Sequence, residues 1–133
     1  QLVRNLRSIG LDLQHGIDAG LLRVHSTRPT RYGLEMHLAT MHKLVSDFDP
    51  RVVVIDPISN FIATGTTSEA GAMLVRLVDF LKTRGVTSLF TNLMHNGSAV
   101  ETDIGISSII DTWLMLRDTE SGGERGGVLS VLK

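Results

Sequence analysis

The stretch RVVVIDPISN, residues 51–60, decides how this chain folds. Its four consecutive β-branched residues, at positions 52–55, predict a strand that is buried on both faces, as in the interior of a parallel sheet. Asp56 ends this apolar run, so its carboxylate is expected at the carboxyl end of the strand, where open α/β sheets bind their ligands. The alternative is that Asp56 only begins the turn before Pro57.

The composition is that of one globular domain. A length of 133 residues, with 42% hydrophobic and 20% charged residues, is ordinary for such a domain. A net charge of −1 gives no basic surface for nucleic acid. The absence of Cys excludes a disulfide framework, and no apolar run approaches the roughly 18 residues of a membrane-spanning helix. These features predict a cytoplasmic protein.

Helix and strand patterns alternate along the chain. The pattern Thr66-x-x-Glu69 is a capping box, so a helix is expected to begin there and to end at Gly85. Its expected buried stripe comprises Ala70, Met73, Leu74, Leu77 and Leu81. Other predicted helices cover residues 2–9, 11–19 and 32–48, and predicted strands cover residues 21–25, 51–56, 86–93, 109–117 and 128–133.

A helix followed directly by a strand, twice in succession, predicts βαβ units and a mostly parallel sheet flanked by helices. Residues 58–65 are expected to form a connecting loop, and residues 94–105 a mobile one. Residues 119–127 are a Gly-rich stretch between the last two strands, which predicts a C-terminal antiparallel hairpin. The fold class is therefore α/β.

A second polar pair follows the strand at residues 86–93. Thr91 and Asn92 are expected beside Asp56, because the carboxyl ends of parallel strands meet at one edge of the sheet. Together the three side chains are candidates to hold a water molecule or to contact a phosphate. The alternative is that Thr91 is only a strand former and Asn92 only starts a turn.

Histidines and glycine-rich motifs give weaker signals. His37 and His42 are five residues apart on a predicted helix, about 140° round its axis, so they cannot bind one metal ion and are interpreted as surface residues. The Gly-rich run at 122–127 lacks the Lys of a phosphate-binding loop, and the chain contains no G-x-x-x-x-G-K-[ST] motif.

Four segments resemble the KaiC family of RecA-like ATPases, which includes a circadian clock protein and its bacterial and archaeal relatives. They are QLVRNLRSIGLDL (1–13), RVVVIDPIS (51–59), GVTSLFTN (85–92) and ISSIIDTWLMLRDTESGGERGGVLSVLK (106–133). The last is the most specific, and the similarity runs over essentially the whole chain. The resemblance implies a RecA-like core with ATP and Mg2+ as cofactors.

The resemblance also implies roles for individual residues. Asp56 matches the Walker B aspartate, which positions Mg2+ through water, and a hydrophobic strand closed by Asp fits that role. Ser8 matches a position near the nucleotide. Lys133 matches a lysine that reaches across a subunit boundary to the γ-phosphate held by the neighbour in a ring. Ser107 and Ser108 align with a segment that is autophosphorylated in the clock protein, although other family domains carry I-S-S without such a role.

Family members carry a Walker A loop and a Glu pair upstream of the position of Gln1, and neither occurs in these 133 residues. We therefore expect residues 1–133 to be a single, partial ATPase domain that is inactive on its own, within a longer protein. The full protein is expected to form a homo-oligomer, which is a hexamer when ATP is bound. Clock or signalling proteins are its expected binding partners.

Two other functions remain open. One is a non-catalytic RecA-like interaction module, which the missing Walker A loop favours. The other is a nucleic-acid-dependent recombinase or helicase relative. The predicted loop at 94–105 carries Glu101 and Asp103 but no Lys or Arg, which makes nucleic acid an unfavourable partner.

Overall fold

The structure is a computed structural model that describes residues 2–93, 108–121 and 124–133. Its α-helices are α1 (Leu2–Arg7), α2 (Gln14–Asp18), α3 (Leu34–Phe48) and α4 (Thr67–Thr83). Its strands are β1 (Val52–Ile55), β2 (Thr87–Phe90), β3 (Leu114–Ser121) and β4 (Glu124–Val131). Two 3-10 helices, Pro29–Arg31 and Ile58–Thr64, lie before α3 and after β1. No helix in these described ranges is long and apolar enough to cross a membrane.

Helix α4 forms the centre of the core, and its predicted ends and buried stripe are confirmed. The Glu69 amide donates to Thr66 Oγ1 at 3.2 Å, and the Thr66 amide donates to Glu69 Oε2 at 2.8 Å, which completes the capping box. Gly85 follows the helix with φ +67°, a conformation that favours glycine. All five residues of the predicted stripe are fully buried.

Helix α3 and the 3-10 helix Ile58–Thr64 pack against α4. Leu38 and Val45 supply the α3 side of the core, and Ile58 and Phe61 supply the other. Residues 58–65 connect β1 to α4 as predicted, but the prediction of a loop without regular structure is wrong for residues 58–64, which form a 3-10 helix with Ile58 and Phe61 buried.

Strands β1 and β2 are parallel, in a register that pairs Val52 with Thr87 and Ile55 with Phe90. The predicted βαβ unit, β1–α4–β2, is therefore confirmed. The prediction that β1 is buried on both faces is wrong for the described residues, since Val53 and Ile55 pack against the core whereas Val52 and Val54 are 58% and 59% exposed. Helices α3 and α4 cover one face of this sheet only.

The strand predicted at residues 21–25 does not form, and this prediction is also wrong. The described residues provide no strand that pairs with this segment, and Leu21 is 79% exposed. A period-two pattern needs a neighbouring strand to become part of a sheet.

Strands β3 and β4 form the predicted antiparallel hairpin, in a register that runs from Leu114 with Val131 to Ser121 with Glu124. Strand β3 starts later than predicted, at Leu114 rather than at residue 109. The turn is shorter than the predicted 119–127, because the ladder pairs Thr119 with Gly126 and continues to Ser121.

Candidate functional site

The backbone of β1 and β2 places Asp56 opposite Thr91. Ile55 pairs with Phe90 in the last step of the parallel ladder, so the next residue on each strand lies at the carboxyl edge. The Thr91 amide donates to the Ile55 carbonyl at 3.0 Å, and the Ile58 amide donates to the Thr91 carbonyl at 2.8 Å. Main-chain hydrogen bonds therefore hold both sides of the site.

The side chains of the two residues are also joined. Thr91 Oγ1 donates a hydrogen bond to Asp56 Oδ1. Asp56 is exposed and Thr91 is half-buried, and the Asp56–Pro57 peptide bond is cis. An ionised carboxylate has about four lone-pair positions on its two oxygens, so Asp56 keeps acceptor capacity for a ligand after it has bonded to Thr91.

Ser59 extends this edge and was missed by the sequence analysis. The Leu93 amide donates to Ser59 Oγ at 3.5 Å, which links the segment after β2 to the segment after β1. Asn92 lies between Thr91 and Leu93 and is half-buried, but within the described residues it makes no hydrogen bond to Asp56. The available signal for Ser59 was its position in the RVVVIDPISN stretch, three residues after Asp56.

The remaining predicted site residues lie on other elements. Ser8 follows α1, is exposed, and donates through Oγ to the Asn5 carbonyl at 2.7 Å. Lys133 follows β4, and its carbonyl accepts from the Trp113 amide at 3.1 Å. Ser108 is exposed, and Ser107 and the predicted loop at 94–105 lie outside the described residues. Asp56 and Thr91 are thus the predicted residues that the structure joins directly.

The interpretation of the helical histidines as surface residues is wrong for His37, which is only 3% exposed. Its Nε2 lies 2.7 Å from the Pro29 carbonyl oxygen, and its ring packs edge-on against Tyr32 and Phe61. His42 is half-buried and stacks on Phe80, with 3.9 Å between ring centroids. Both imidazoles serve the packing of α3, because one edge of the ring is polar while its faces pack like an aromatic side chain.

Hydrogen bonds shift the pKa values of carboxyl groups on the helices that support the site. The Thr66 amide and hydroxyl bond to Glu69 and hold its pKa below the usual value. The pKa of Glu35, on α3, is lowered chiefly by its side-chain hydrogen bonds from Arg76 of α4. These two carboxylates stabilise a helix start and a contact between helices.

The donor atoms at the carboxyl edge fit Mg2+. In residues 2–93, 108–121 and 124–133, no group of three His, Cys, Asp or Glu side chains could hold a metal ion. Mg2+ does not need such a cage, since it prefers oxygen ligands, keeps several waters and binds proteins through one or two carboxylates together with substrate phosphates. The exposed Asp56 carboxylate, which accepts a hydrogen bond from Thr91, is an oxygen donor of the kind that Mg2+ or its bound water prefers.

Comparisons with known proteins match the whole chain to one family. The family model for the KaiC ATPase matches residues 1–133. The circadian clock protein KaiC2 of Synechocystis sp. is 42% identical over 136 residues, which cover 100% of this chain and 24% of that protein. The circadian clock oscillator protein KaiC of Thermostichus vulcanus is 35% identical over 136 residues, which cover 100% of this chain and 26% of that protein.

The chain thus spans about a quarter of the length of these relatives. The whole-chain match, the parallel βαβ unit and the C-terminal hairpin confirm the RecA-like α/β class. We conclude that the chain belongs to the KaiC family of ATPases.

Proposed function

We propose that this chain is part of an ATP-binding, ATP-hydrolysing domain in which Asp56 holds the Mg2+ of bound ATP through water. The observation that carries the proposal is the hydrogen bond from Thr91 to Asp56 at the carboxyl edge of two parallel strands. Ligands of open α/β sheets bind at this edge, and the family membership indicates which ligand to expect.

Each residue has a defined task in this proposal. Thr91 restricts the rotamer of Asp56, so that the carboxylate is preorganised before the metal arrives. Asp56 would hold Mg2+ through water, and the metal would supply positive charge that offsets the negative charge of the phosphates. Asn92 and Ser8 contact the nucleotide or its water. Lys133 offsets γ-phosphate charge in the neighbouring subunit, which a fixed cation does well in a water-poor interface.

The wider proposal concerns the full-length protein. It assembles into a ring, a hexamer in the presence of ATP, in the cytoplasm, with residues 1–133 as one part of each ATPase domain. Its role is in a clock or another signalling system, where Ser107 or Ser108 is an autophosphorylation target. The exposed position of Ser108 supports access of a phosphate donor.

A non-catalytic interaction module is the second candidate. It is favoured by the exposed apolar face of the β1–β2 sheet, where Val52, Val54 and Leu89 are each more than half exposed. A module of this kind would bind a partner through that face and would not hydrolyse ATP.

Asp56→Asn in the full-length protein separates the two candidates. The substitution keeps the shape of the side chain and removes its charge, so we expect Mg2+-dependent ATP hydrolysis to fall by about a hundredfold or more. Asp49→Asn is the matched control, because Asp49 is also exposed and has φ +50°, a conformation that Asn accepts. Its rate should equal that of the unmodified protein.

Wild-type hydrolysis in Asp56→Asn would contradict the assigned role of Asp56. Gel filtration with and without Mg-ATP tests the ring. A full-length protein that stays monomeric and whose melting temperature is unmoved by Mg-ATP would support the interaction module.

A further inference from the structure

Lys82 links the core to the start of the C-terminal hairpin. It lies in the last turn of α4, and its Nζ donates to the Ile109 carbonyl at 3.1 Å and to Asp111 Oδ1 at 2.9 Å. Both acceptors belong to the segment that leads into β3. One ammonium group thus holds this segment at a main-chain atom and at a side-chain atom.

The same segment is connected to the end of the chain. The Trp113 amide donates to the Lys133 carbonyl at 3.1 Å, and the Leu132 amide donates to the Trp113 carbonyl at 2.9 Å. Residues 109–113 therefore contact α4 on one side and the residues after β4 on the other. These two hydrogen bonds connect the Lys133 backbone to this segment.

The segment at residues 109–113 is held against α4 by both apolar packing and polar contacts. Ile109 and Ile110 are half-buried and pack against the core cluster, which supplies the apolar attraction. The Lys82 and Asp111 side chains are 45% and 83% exposed, so their ion pair alone stabilises the fold little. Lys82 adds two polar contacts, one to a main-chain carbonyl and one to a carboxylate, which favour this placement of the segment along α4.

We propose that Lys82 is a positioning residue that fixes the base of the β3–β4 hairpin and, through it, the place of Lys133 at the subunit boundary. The second half of this statement rests on the proposed function, in which Lys133 meets the phosphates of a neighbouring subunit. Lys82 touches neither nucleotide nor metal in this scheme and acts only through the hairpin.

Lys82→Met and Lys82→Arg in the full-length protein test the proposal. Met keeps the apolar stem and removes the donors, whereas Arg keeps the charge and can still reach two acceptors. Lys43→Met is the matched control, because Lys43 forms a similar exposed ion pair at 2.8 Å with Asp47 inside helix α3. The readouts are hydrogen exchange of residues 109–117 and 128–133 and the kcat and KM for ATP.

We expect Lys82→Met to speed hydrogen exchange in both segments. It should also lower kcat at least about threefold and leave KM for ATP unchanged, because a displaced Lys133 cation stabilises the transition state less but affects substrate binding little. Lys82→Arg should restore both values, and Lys43→Met should leave both unchanged. A split between kcat and KM together with rescue by Arg distinguishes positioning from a general loss of stability.

Unchanged exchange in Lys82→Met would overturn the proposal, and so would faster exchange with an unaltered kcat. A wild-type protein without ATPase activity would instead contradict the proposed function. In that case the exchange measurement would still decide whether Lys82 holds the hairpin.

Discussion

Thr91→Val is the sharpest test of how the carboxyl edge works. The substitution keeps the branched shape that suits the end of a β-strand and removes the hydroxyl that donates to Asp56 Oδ1. The main-chain bonds of residue 91 to Ile55 and Ile58 do not involve its side chain, so the edge of the sheet should persist. The expected change is therefore confined to the carboxylate.

The size of the effect follows from the exposure of the pair. A hydrogen bond to a charged group contributes about 1.5–3 kcal/mol when its partners are well shielded. Asp56 is exposed and Thr91 half-buried, so water replaces much of the lost bond. We therefore expect loss of the Thr91 hydroxyl to cost about 0.7–1.4 kcal/mol. If the whole of this cost falls on Mg2+ binding, the affinity for Mg2+ falls by a factor of about three to ten.

The assay is the Mg2+ dependence of ATP hydrolysis by the full-length protein at saturating ATP. Thr91→Val should raise the Mg2+ concentration at half-maximal rate by that factor and leave the maximal rate nearly unchanged. Thr91→Ser, which keeps the hydroxyl, should restore the wild-type dependence. An unaltered Mg2+ dependence in Thr91→Val, alongside an inactive Asp56→Asn, would refute the view that Thr91 orients the carboxylate.

Two further predictions concern the helices. Leu77→Ala should lower the free energy of unfolding in urea by about 2–5 kcal/mol, because Leu77 is fully buried in the core, and Leu77→Met should cost less than about 1.5 kcal/mol. Thr66→Ala should raise the pKa of Glu69 part of the way toward its usual value, as seen by NMR titration, because it removes the hydroxyl donor while the main-chain amide of residue 66, the larger cause of the lowered pKa, remains. Because the folded pKa of Glu69 is lowered, its stabilisation is present above the unfolded pKa and is lost as pH falls through the folded pKa. Stability should therefore depend less on acid pH in Thr66→Ala, and unchanged acid dependence would contradict this account.

Local signals allowed α4 to be predicted from the sequence. The capping box, the buried stripe and Gly85 each act within a few residues, so tertiary contacts were not needed to find the helix. The burial of the two faces of β1, in contrast, could not be predicted from local signals. Four β-branched residues show that a strand can be buried on both faces, whereas the layers that actually cover it are set by distant parts of a fold.

The contact between Asp56 and Thr91 was predictable for a related reason, and the contacts of the surrounding residues were not. Parallel strands share an edge, so two polar residues that end neighbouring strands meet whatever the loops between them do. Lys82 and Asp111 are 29 residues apart in the sequence, so no local pattern predicts their contact. The burial of His37 was not predicted, because a polar residue on a helix is ordinarily exposed. In the structure, the Pro29 carbonyl lies within hydrogen-bonding distance of the buried imidazole.

The way the carboxyl edge is built explains why its chemistry can be altered without loss of the fold. Asp56 and Thr91 are placed by amide-to-carbonyl bonds at 3.0 and 2.8 Å and by a ladder that ends one residue earlier. Neither side chain belongs to the buried core. Substitutions at these two positions should therefore change metal and nucleotide binding while lowering the unfolding free energy by no more than about 1.4 kcal/mol. A large loss of stability in Asp56→Asn would show that the carboxylate serves the fold, and the proposed role in ATP hydrolysis would then need a different residue.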